Sequence, residues 1–364
     1  MKKLLLSGTA LAAAGVVAGV AAAPAQAQIQ LGLGGYMIQY LGYGNSSTNV
    51  GSGSDAFNGF DVKSNSEVWF VGSTTLDNGL KFGVNIQLEG NTNTGDQIDE
   101  SFLFVEGSFG RFNIGSENSA GYLMTYAAPD VGVGVNSTGV LTGFLPQSGG
   151  FAGAGFFRAP LGSTYLELDR NNDSNKITYF TPRFSGFQFG ASYLPDPQQD
   201  SNSQVDETTV SYRDGFSLGG NFVNSFSGFD VAVSGRYDWA NDQSAAGTDP
   251  SIYSFGANLG YAGFTVGGSY AKANDMGANT GRSFDVGASY ETGPWGVSLT
   301  YFNGEADATA AAGRSEYQAY EGAASYALGP GVTAVGSVSY QNLDADNGSN
   351  AETWAVIGAF KLKF

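Results

Sequence analysis

The sequence predicts an all-β protein, a 16-stranded antiparallel transmembrane β-barrel, and three observations support this. Apolar residues recur at every second position along most of the chain, which is typical of strands with one apolar face. Short turn sequences alternate with longer connections rich in Asn, Asp, Ser and Gly, and a membrane barrel has short turns at one rim and long loops at the other. The N-terminus has the features of an export signal. Together they indicate an exported chain that crosses a membrane with strands.

The N-terminal segment, residues 1–27, is predicted to be a cleaved signal peptide. Lys2 and Lys3 give a positive start, residues 4–20 are apolar, and Ala25-Gln26-Ala27 provides a small-x-small cleavage site. A transmembrane anchor is the alternative, because the apolar run approaches the length of a spanning helix. The cleavage site and the abundance of Ala and Gly favour removal, so residues 28–364 are predicted to form the barrel.

The composition excludes several classes of function. The chain has 364 residues, with no Cys and no His, so it cannot use thiol nucleophiles, imidazole bases or the commonest zinc ligands. We therefore predict that the protein is not an enzyme, and we expect no cofactor. The formal net charge is −17, and it becomes more negative when Lys2 and Lys3 are removed, which argues against binding to nucleic acid.

Turn signals divide the mature chain into sixteen predicted strands. Asp77-Asn78-Gly79, Ser185-Gly186, Ser227-Gly228 and Ala262-Gly263 are typical tight turns. An even number of strands leaves both termini at the same rim, as single-chain membrane barrels require. The predicted strands are 29–43, 60–76, 79–91, 98–108, 110–117, 175–184, 186–194, 205–222, 229–239, 251–261, 263–271, 282–292, 295–302, 315–328, 332–341 and 351–364.

Aromatic residues cluster toward the ends of these strands. A soluble β-sandwich, jelly roll or β-solenoid would also explain the alternation, but it explains this clustering less well, because two aromatic girdles are expected at the two membrane interfaces. The group assigned to the loop end is Tyr36, Tyr40, Tyr193, Tyr237, Trp239, Tyr270, Tyr290, Tyr301 and Tyr340. The group assigned to the turn end is Phe109, Phe112, Phe187, Phe229, Phe264, Trp295 and Phe364.

The C-terminal sequence "AVIGAFKLKF" is predicted to be the last strand, running to the end of the chain. Its alternation places Phe360, Leu362 and Phe364 toward lipid, and Lys361 and Lys363 toward the lumen. The strand can end without a polar tail because its neighbour is the first strand, so that closure leaves no free edge.

Three parts of the sequence resemble Gram-negative trimeric porins, most closely the general-diffusion porins of alphaproteobacteria. They are "FGRFNIGSENSAGYLMTYAAPD" (109–130), "NKITYFTPRFSGFQFGASYLPD" (175–196) and the terminal Phe364. The resemblance implies a homotrimer in the outer membrane, reached through the periplasm, in which each 16-stranded barrel holds its own pore and a long third outer loop folds inward. It also implies contact with the bilayer and lipopolysaccharide, and an assembly signal at Phe364 that is read by the outer-membrane assembly machinery.

The segment from about residue 118 to 174 is much longer than an ordinary connection and follows the fifth predicted strand, which is the position of the porin constriction loop. The resemblance makes Glu117 and Asp130 the loop-side candidates at the constriction. Strand alternation separately predicts that several charged residues face the lumen: Lys81, Arg111, Arg213, Arg236, Asp238, Asp285 and Glu321.

The predicted function is passive diffusion of ions and small hydrophilic solutes through a weakly cation-selective pore. Carboxylates near the narrowest point lower the free energy of a cation and raise that of an anion. Two alternatives remain open: a substrate-specific channel for a sugar or other nutrient, and a non-pore β-rich surface or adhesion protein.

A weak calcium candidate lies in "DRNNDSN", where Asp169, Asn171 and Asp173 have the spacing of a calcium loop. Ser174 stands where such a loop requires Gly, and Phe180 stands where it requires a bidentate Glu. An incidental acidic loop is therefore the favoured interpretation.

Overall fold

The protein is a closed barrel of sixteen antiparallel strands, which confirms the predicted fold class. The computed structural model describes residues 29–48, 59–91, 97–136, 141–145, 155–168, 174–197, 212–243, 247–307, 313–346 and 348–364. Strands pair in chain order and β1 pairs with β16. The strands are β1 (Gln30–Thr48), β2 (Phe60–Thr75), β3 (Lys81–Glu89), β4 (Ile98–Gly107), β5 (Gly110–Ser116), β6 (Asn175–Phe180), β7 (Phe187–Leu194), β8 (Tyr212–Phe226), β9 (Phe229–Asp242), β10 (Ser251–Tyr261), β11 (Phe264–Asn274), β12 (Gly281–Thr292), β13 (Trp295–Asp307), β14 (Arg314–Gly329), β15 (Val332–Asp344) and β16 (Asn350–Lys363).

The predicted signal peptide, residues 1–27, lies outside the described residues and stays a prediction. The helices among the described residues are short: α1 (Ala120–Leu123) and two 3₁₀ turns, Thr142–Phe144 and Gly277–Asn279. None of the helices in the described ranges is long and apolar enough to cross a membrane.

Side chains alternate between the two faces along the regular parts of the strands, as the sequence pattern predicts. On β16, Val356 is 60% exposed and Phe360 49% exposed, whereas Ile357 between them is 1% exposed. Exposed apolar residues therefore form the outer surface of the barrel, where lipid covers them, and the buried set faces inward.

The short turns match strand twist through their backbone conformation. In Ser185-Gly186 and Ser227-Gly228 both residues have positive φ, 48° and 92° in the first turn and 50° and 88° in the second. This is the geometry of a type I′ hairpin, in which the second residue is usually glycine because it has no Cβ.

The seam of the barrel joins the C-terminus to β1. Tyr36 pairs with Lys363 in the register, and the Gly35 N–H donates to the Phe364 carbonyl at 3.0 Å while the Phe364 N–H donates to the Gly35 carbonyl at 3.1 Å. The last strand is thus hydrogen-bonded to its final residue, as expected from the sequence.

Most of the predicted girdle residues face outward, but three assignments were wrong. Tyr36 and Tyr40 lie on the inner face: the Tyr36 hydroxyl donates to Glu67 at 2.5 Å, and Tyr40 is 4% exposed within an inner apolar cluster. Tyr290 lies at the turn end, where it packs against Phe264 with ring centroids 4.3 Å apart. Tyr36 and Tyr40 were misplaced because a position along a strand does not tell which face a side chain lies on. Tyr290 was misplaced because β12 runs from a loop to a turn, so its last residues lie at the turn end.

Candidate pore constriction

The long loop, residues 118–174, begins with the helix α1 pressed against the inner wall. Ser119 caps this helix by accepting a hydrogen bond from the Tyr122 N–H. The N–H groups of Ala120 and Gly121 donate to the hydroxyls of Ser192 on β7 and Ser217 on β8, at 2.9 and 3.0 Å. The described part of the loop therefore enters the barrel directly after β5.

From there the loop backbone is held by a row of side chains on successive strands. The Tyr126 N–H donates to Ser234 on β9 at 2.9 Å, and the Val131 N–H donates to Ser298 on β13 at 3.1 Å. Backbone N–H groups that leave a sheet need acceptors when they are buried, and inward hydroxyls supply them here. The outgoing limb of the loop thus runs along the inner wall rather than across open lumen.

Two of the predicted lumen acids belong to this row. Asp285 on β12 accepts from the Ala128 N–H at 3.2 Å, and Glu321 on β14 accepts from the Val133 and Gly134 N–H groups, both at 2.8 Å. Both carboxylates lie on the inner face, as predicted, but they are 3% and 1% exposed. Their described contacts hold the loop, so little of either is left to face a permeating ion.

Asp130 lies at a bend of the outgoing limb. Its carboxylate accepts hydrogen bonds from the Gly132 N–H at 2.7 Å and from the Ser298 hydroxyl at 2.9 Å. Lys361, on β16, donates to the Gly132 carbonyl at 2.6 Å. Asp130 is only half-buried, so it remains a loop carboxylate with access to solvent.

The returning limb is held by a buried group of charges. Arg236 donates to Asp238 at 2.6 Å and to the Leu166 carbonyl, and the side chains of Arg236 and Asp238 have no exposed surface.

Glu167, also without exposed side-chain surface, lies 3.7 Å from the Arg158 guanidinium. Arg158 stacks on the Tyr122 ring at 4.3 Å and donates to Asn118, so it joins the two limbs of the loop.

Glu117 lies between β5 and the loop and is 6% exposed. Its carboxylate accepts from the Asn113 amide at 2.8 and 2.7 Å, and its backbone carbonyl accepts from Lys176. Burial raises the pKa of Glu117 to about 7, against the opposing effect of the Asn113 hydrogen bond. Burial likewise raises the pKa of Glu167 to about 7, although Arg236 and Arg158 oppose it.

The inner face of β3–β5, called here the open wall, differs from the inner face of β6–β16 and β1, called the covered wall. Lys81 and Arg111 lie on either side of Glu106 in the register of the open wall. The Arg111 and Glu106 side chains are 24% and 47% exposed, with 4.0 Å between their charged atoms. Arg111 stacks on the Phe104 ring at 4.1 Å, which holds its guanidinium against the wall.

Beside the open wall, β2 carries an inward aromatic and carboxylate group. Trp69 and Tyr36 meet edge to face at 5.9 Å, and both donate to Glu67, the indole N–H at 2.8 Å. Lys363 lies 5.8 Å from the Trp69 ring. The inner surface there therefore includes aromatic rings beside the charged groups.

Arg213 does not face the lumen, so that prediction was wrong. A bulge between Arg213 and Phe216 shifts the register of β8 against β9, and Arg213 then pairs with Asn241 on the outer face. One extra residue in a strand moves every side chain beyond it to the opposite face. The alternation of the sequence shows no sign of this bulge.

Sequence reasoning selected charges and missed the uncharged groups that fix the loop. The inward hydroxyls of Ser192, Ser217, Ser234 and Ser298 could have been found by the strand alternation that found Asp285. Glu106 and Lys176 could also have been found in this way. The calcium candidates Asp169, Asn171 and Asp173 lie outside the described residues.

Comparison with known proteins agrees with the barrel fold. The sequence model of the Gram-negative porin family matches residues 9–347, and the chain belongs to that family. An outer membrane porin protein of Bordetella pertussis is 28% identical over 312 residues, which cover 80% of this chain and 74% of that protein.

Solved structures show the same architecture. A porin refined at 1.8 Å superposes with a TM-score of 0.60 and 17% identity, covering 92% of this chain and all of that one. An anion-selective porin from Comamonas acidovorans gives a TM-score of 0.59 and 18% identity, covering 93% of this chain and all of that one. The protein is therefore an outer-membrane porin, embedded in the membrane as a multi-pass β-barrel channel.

Proposed function

We propose that ions and small hydrophilic solutes pass by passive diffusion between the long loop and the open wall. The observation that carries this proposal is the contrast in exposure of inward charges: Arg236 and Asp238 on the covered wall are fully buried, whereas Arg111 and Glu106 on the open wall keep 24% and 47% of their side-chain surface. Hydrated solutes require accessible polar groups. On the β3–β5 side these are Lys81, Glu106 and Arg111 at the turn end of the wall, whereas Asn85, Glu100 and Asn113 further along the same face are buried.

The charges on the open wall, together with Asp130, are proposed to set ion selectivity. Screening limits their effect to about 8 Å at physiological ionic strength, so accessible groups count more than the chain's overall charge. The expectation from the sequence is a weak cation preference, and the accessible carboxylates Glu106 and Asp130 support it. Lys81 and Arg111 oppose it, which is the reason that the preference should be weak.

Reversal potential in planar bilayers under a KCl gradient tests this proposal. Wild-type channels should favour K⁺ slightly, the Lys81→Gln/Arg111→Gln variant should favour it more, and Glu106→Gln should favour it less. Arg236→Met/Asp238→Leu is the control, because it removes a buried ion pair without changing the net charge and without leaving either charge unpaired, so it should leave selectivity nearly unchanged. The Comamonas neighbour is anion-selective, so an anion preference here would overturn the cation assignment while leaving the pore itself intact.

A substrate-specific channel is a second candidate, favoured by the inward Trp69 and Tyr36. Aromatic faces near a lumen can bind the apolar face of a sugar or another ring-shaped nutrient. Such a channel would show solute-dependent blocking of the ion current that is lost in Trp69→Ala. Current that is unaffected by a panel of sugars and aromatic acids would leave general diffusion as the function.

We also propose a homotrimer that contacts lipopolysaccharide and depends on Phe364 for assembly. Support for the last point is the position of Phe364, which is 64% exposed on the outer face at the barrel seam. Its side chain is therefore available to an assembly partner and not needed for inner packing. Deletion of Phe364 should lower the yield of the heat-modifiable form, while channels that do assemble keep wild-type conductance.

A further inference from the structure

The inner face of the covered wall contains an apolar region that a water-filled lumen does not explain. Strands β13–β16 and β1 place a cluster of apolar side chains on the inner face, and each of these residues is less than 10% exposed. They are Tyr40, Phe302, Ala306, Tyr317, Ala319, Val335, Leu343, Ala351, Ala355, Ile357 and Ala359. Apolar surface facing water is unfavourable in proportion to its area, so this region needs a cover.

The long loop provides that cover with its own apolar residues. Val135, Leu141, Phe144, Leu145 and Leu161 belong to the same buried cluster, with exposures from 2% to 8%. The barrel therefore has a hydrophobic core inside it, formed between the loop and one side of the wall.

Phe144 packs most closely against β1, because two glycines make room for its ring. A Cβ on Gly42 would overlap the ring and lie 2.6 Å from Cε1, and a Cβ on Gly44 would lie 3.5 Å from the Phe144 Cβ. Positions 42 and 44 both lie on the inner face of β1. Gly42 and Gly44 therefore form a notch, called here the glycine notch, that a larger residue at position 42 would fill.

Two further contacts hold this part of the loop. The Gln341 amide on β15 donates to the Leu141 carbonyl at 3.0 Å. Lys63 on β2 lies 4.8 Å from the centroid of the Phe144 ring. The ring thus sits at the border between the covered wall and the strands that lead to the open wall.

We infer that Phe144, seated in the glycine notch, is the positioning residue that fixes the cross-section of the pore, an inference that rests on the proposed path along the open wall. The start of the loop is anchored on β7 and β8 by Ser192 and Ser217. Phe144 anchors the loop on β1, beyond the row of contacts along β9–β15. If the Phe144 ring leaves the notch, this part of the loop is no longer fixed to the wall. The cross-section of the pore between the loop and the open wall then varies.

Substitutions on either side of the contact should have the same effect. Phe144→Ala removes a buried aromatic ring, and such truncations are strongly destabilising. At a factor of ten per 1.4 kcal/mol, the population of channels whose loop has left the glycine notch should rise about a hundredfold. Gly42→Val should displace the ring from the other side. Both variants should show increased open-channel current noise and more than one conductance level in planar bilayers. Gly358→Val, on the outer face of β16 where the nearest atom to an added Cβ is 4.0 Å away, is the matched control and should behave as wild type.

A cysteine pair gives a test that does not depend on interpreting noise alone. The chain contains no Cys, so Gly44→Cys with Phe144→Cys introduces its only two thiols. The Cβ separation of 3.5 Å lies within the range of about 3.5–4.5 Å that disulfides adopt. Oxidised channels should be quiet with one conductance level, and reduced channels should be as noisy as Phe144→Ala. Gly358→Cys with Phe144→Cys should not cross-link.

Heat-modifiable migration on gels identifies folded barrels, so only those are compared. A folded Gly44→Cys/Phe144→Cys protein that fails to cross-link would overturn the inference, as would a cross-linked protein whose conductance is unchanged by reduction. Failure of wild-type protein to conduct at all would instead overturn the proposed function.

Discussion

Arg111 and Arg236 both point into the barrel beside a carboxylate, yet they lie in two different environments. Arg236 and Asp238 are fully buried 2.6 Å apart under the loop, whereas Arg111 and Glu106 are partly exposed with 4.0 Å between their charges. The same sequence signal, an inward arginine on a strand, therefore gives a structural ion pair on the covered wall and an accessible charge on the open wall. The difference shows that an inward charge under the loop is buried, as Arg236 is, whereas one at the turn end of the barrel, as Arg111 is, stays accessible.

The largest expected effect is on the covered wall. Arg236→Ala should lower the free energy of unfolding by about 3–5 kcal/mol, because it leaves the Asp238 carboxylate buried without its partner. The measurement is the urea dependence of heat-modifiable migration in detergent. The double variant Arg236→Met/Asp238→Leu should lose much less, since it removes both charges; equal losses in the two variants would contradict a pairing effect.

A pH dependence should follow from Glu117 and Glu167, whose folded pKa values of about 7 lie above the ordinary value of 4.5. Because the folded pKa is raised, their contribution to stability is fully present below pH 4.5 and is lost as pH rises through 7. The expected loss between pH 5 and pH 8 is on the order of 5 kcal/mol for the two groups together.

Urea midpoints at a series of pH values measure this dependence. Glu117→Gln/Glu167→Gln should flatten the curve, and Glu106→Gln on the open wall should leave it in place. A wild-type protein whose stability increases from pH 5 to pH 8 would show that the sign is wrong.

A substitution of Glu321 on the covered wall should affect stability less than Arg236→Ala does. Glu321→Gln retains one acceptor oxygen for the two N–H groups of Val133 and Gly134, so a loss of about 1–2 kcal/mol is expected. Limited proteolysis of folded channels should show faster cleavage within the long loop, whereas Glu106→Gln should not change the rate. Unaltered cleavage in Glu321→Gln would mean that the serine row alone holds the outgoing limb.

The smallest effect on stability belongs to the open wall. Arg111→Ala should cost no more than about 1 kcal/mol, because partly exposed ion pairs are weak. The same variant should nevertheless shift the reversal potential toward cations. A loss of stability comparable with that of Arg236→Ala would remove the distinction between the two walls.

Much of the fold could be predicted because alternation and turn chemistry are local. The seam at Phe364, the turns Ser185-Gly186 and Ser227-Gly228, and the inward positions of Asp285 and Glu321 all follow from residues that are close in sequence. Arg213 could not be placed in this way, because a bulge changes the face of a strand without changing its composition.

By itself, the sequence determined that the chain is a closed sixteen-stranded barrel and, at most positions, which side chains face inward. The alternation of the last strand also puts the apolar Ile357 and Ala359 on the same face as Lys361, but it does not show what covers them. Only the tertiary structure decided that the loop packs over these residues, seats Phe144 against Gly42 and buries Asp238, Asp285 and Glu321. The physical reason is that strand alternation is a local property of one strand, whereas the burial of an inward side chain depends on a loop that lies far away in the sequence.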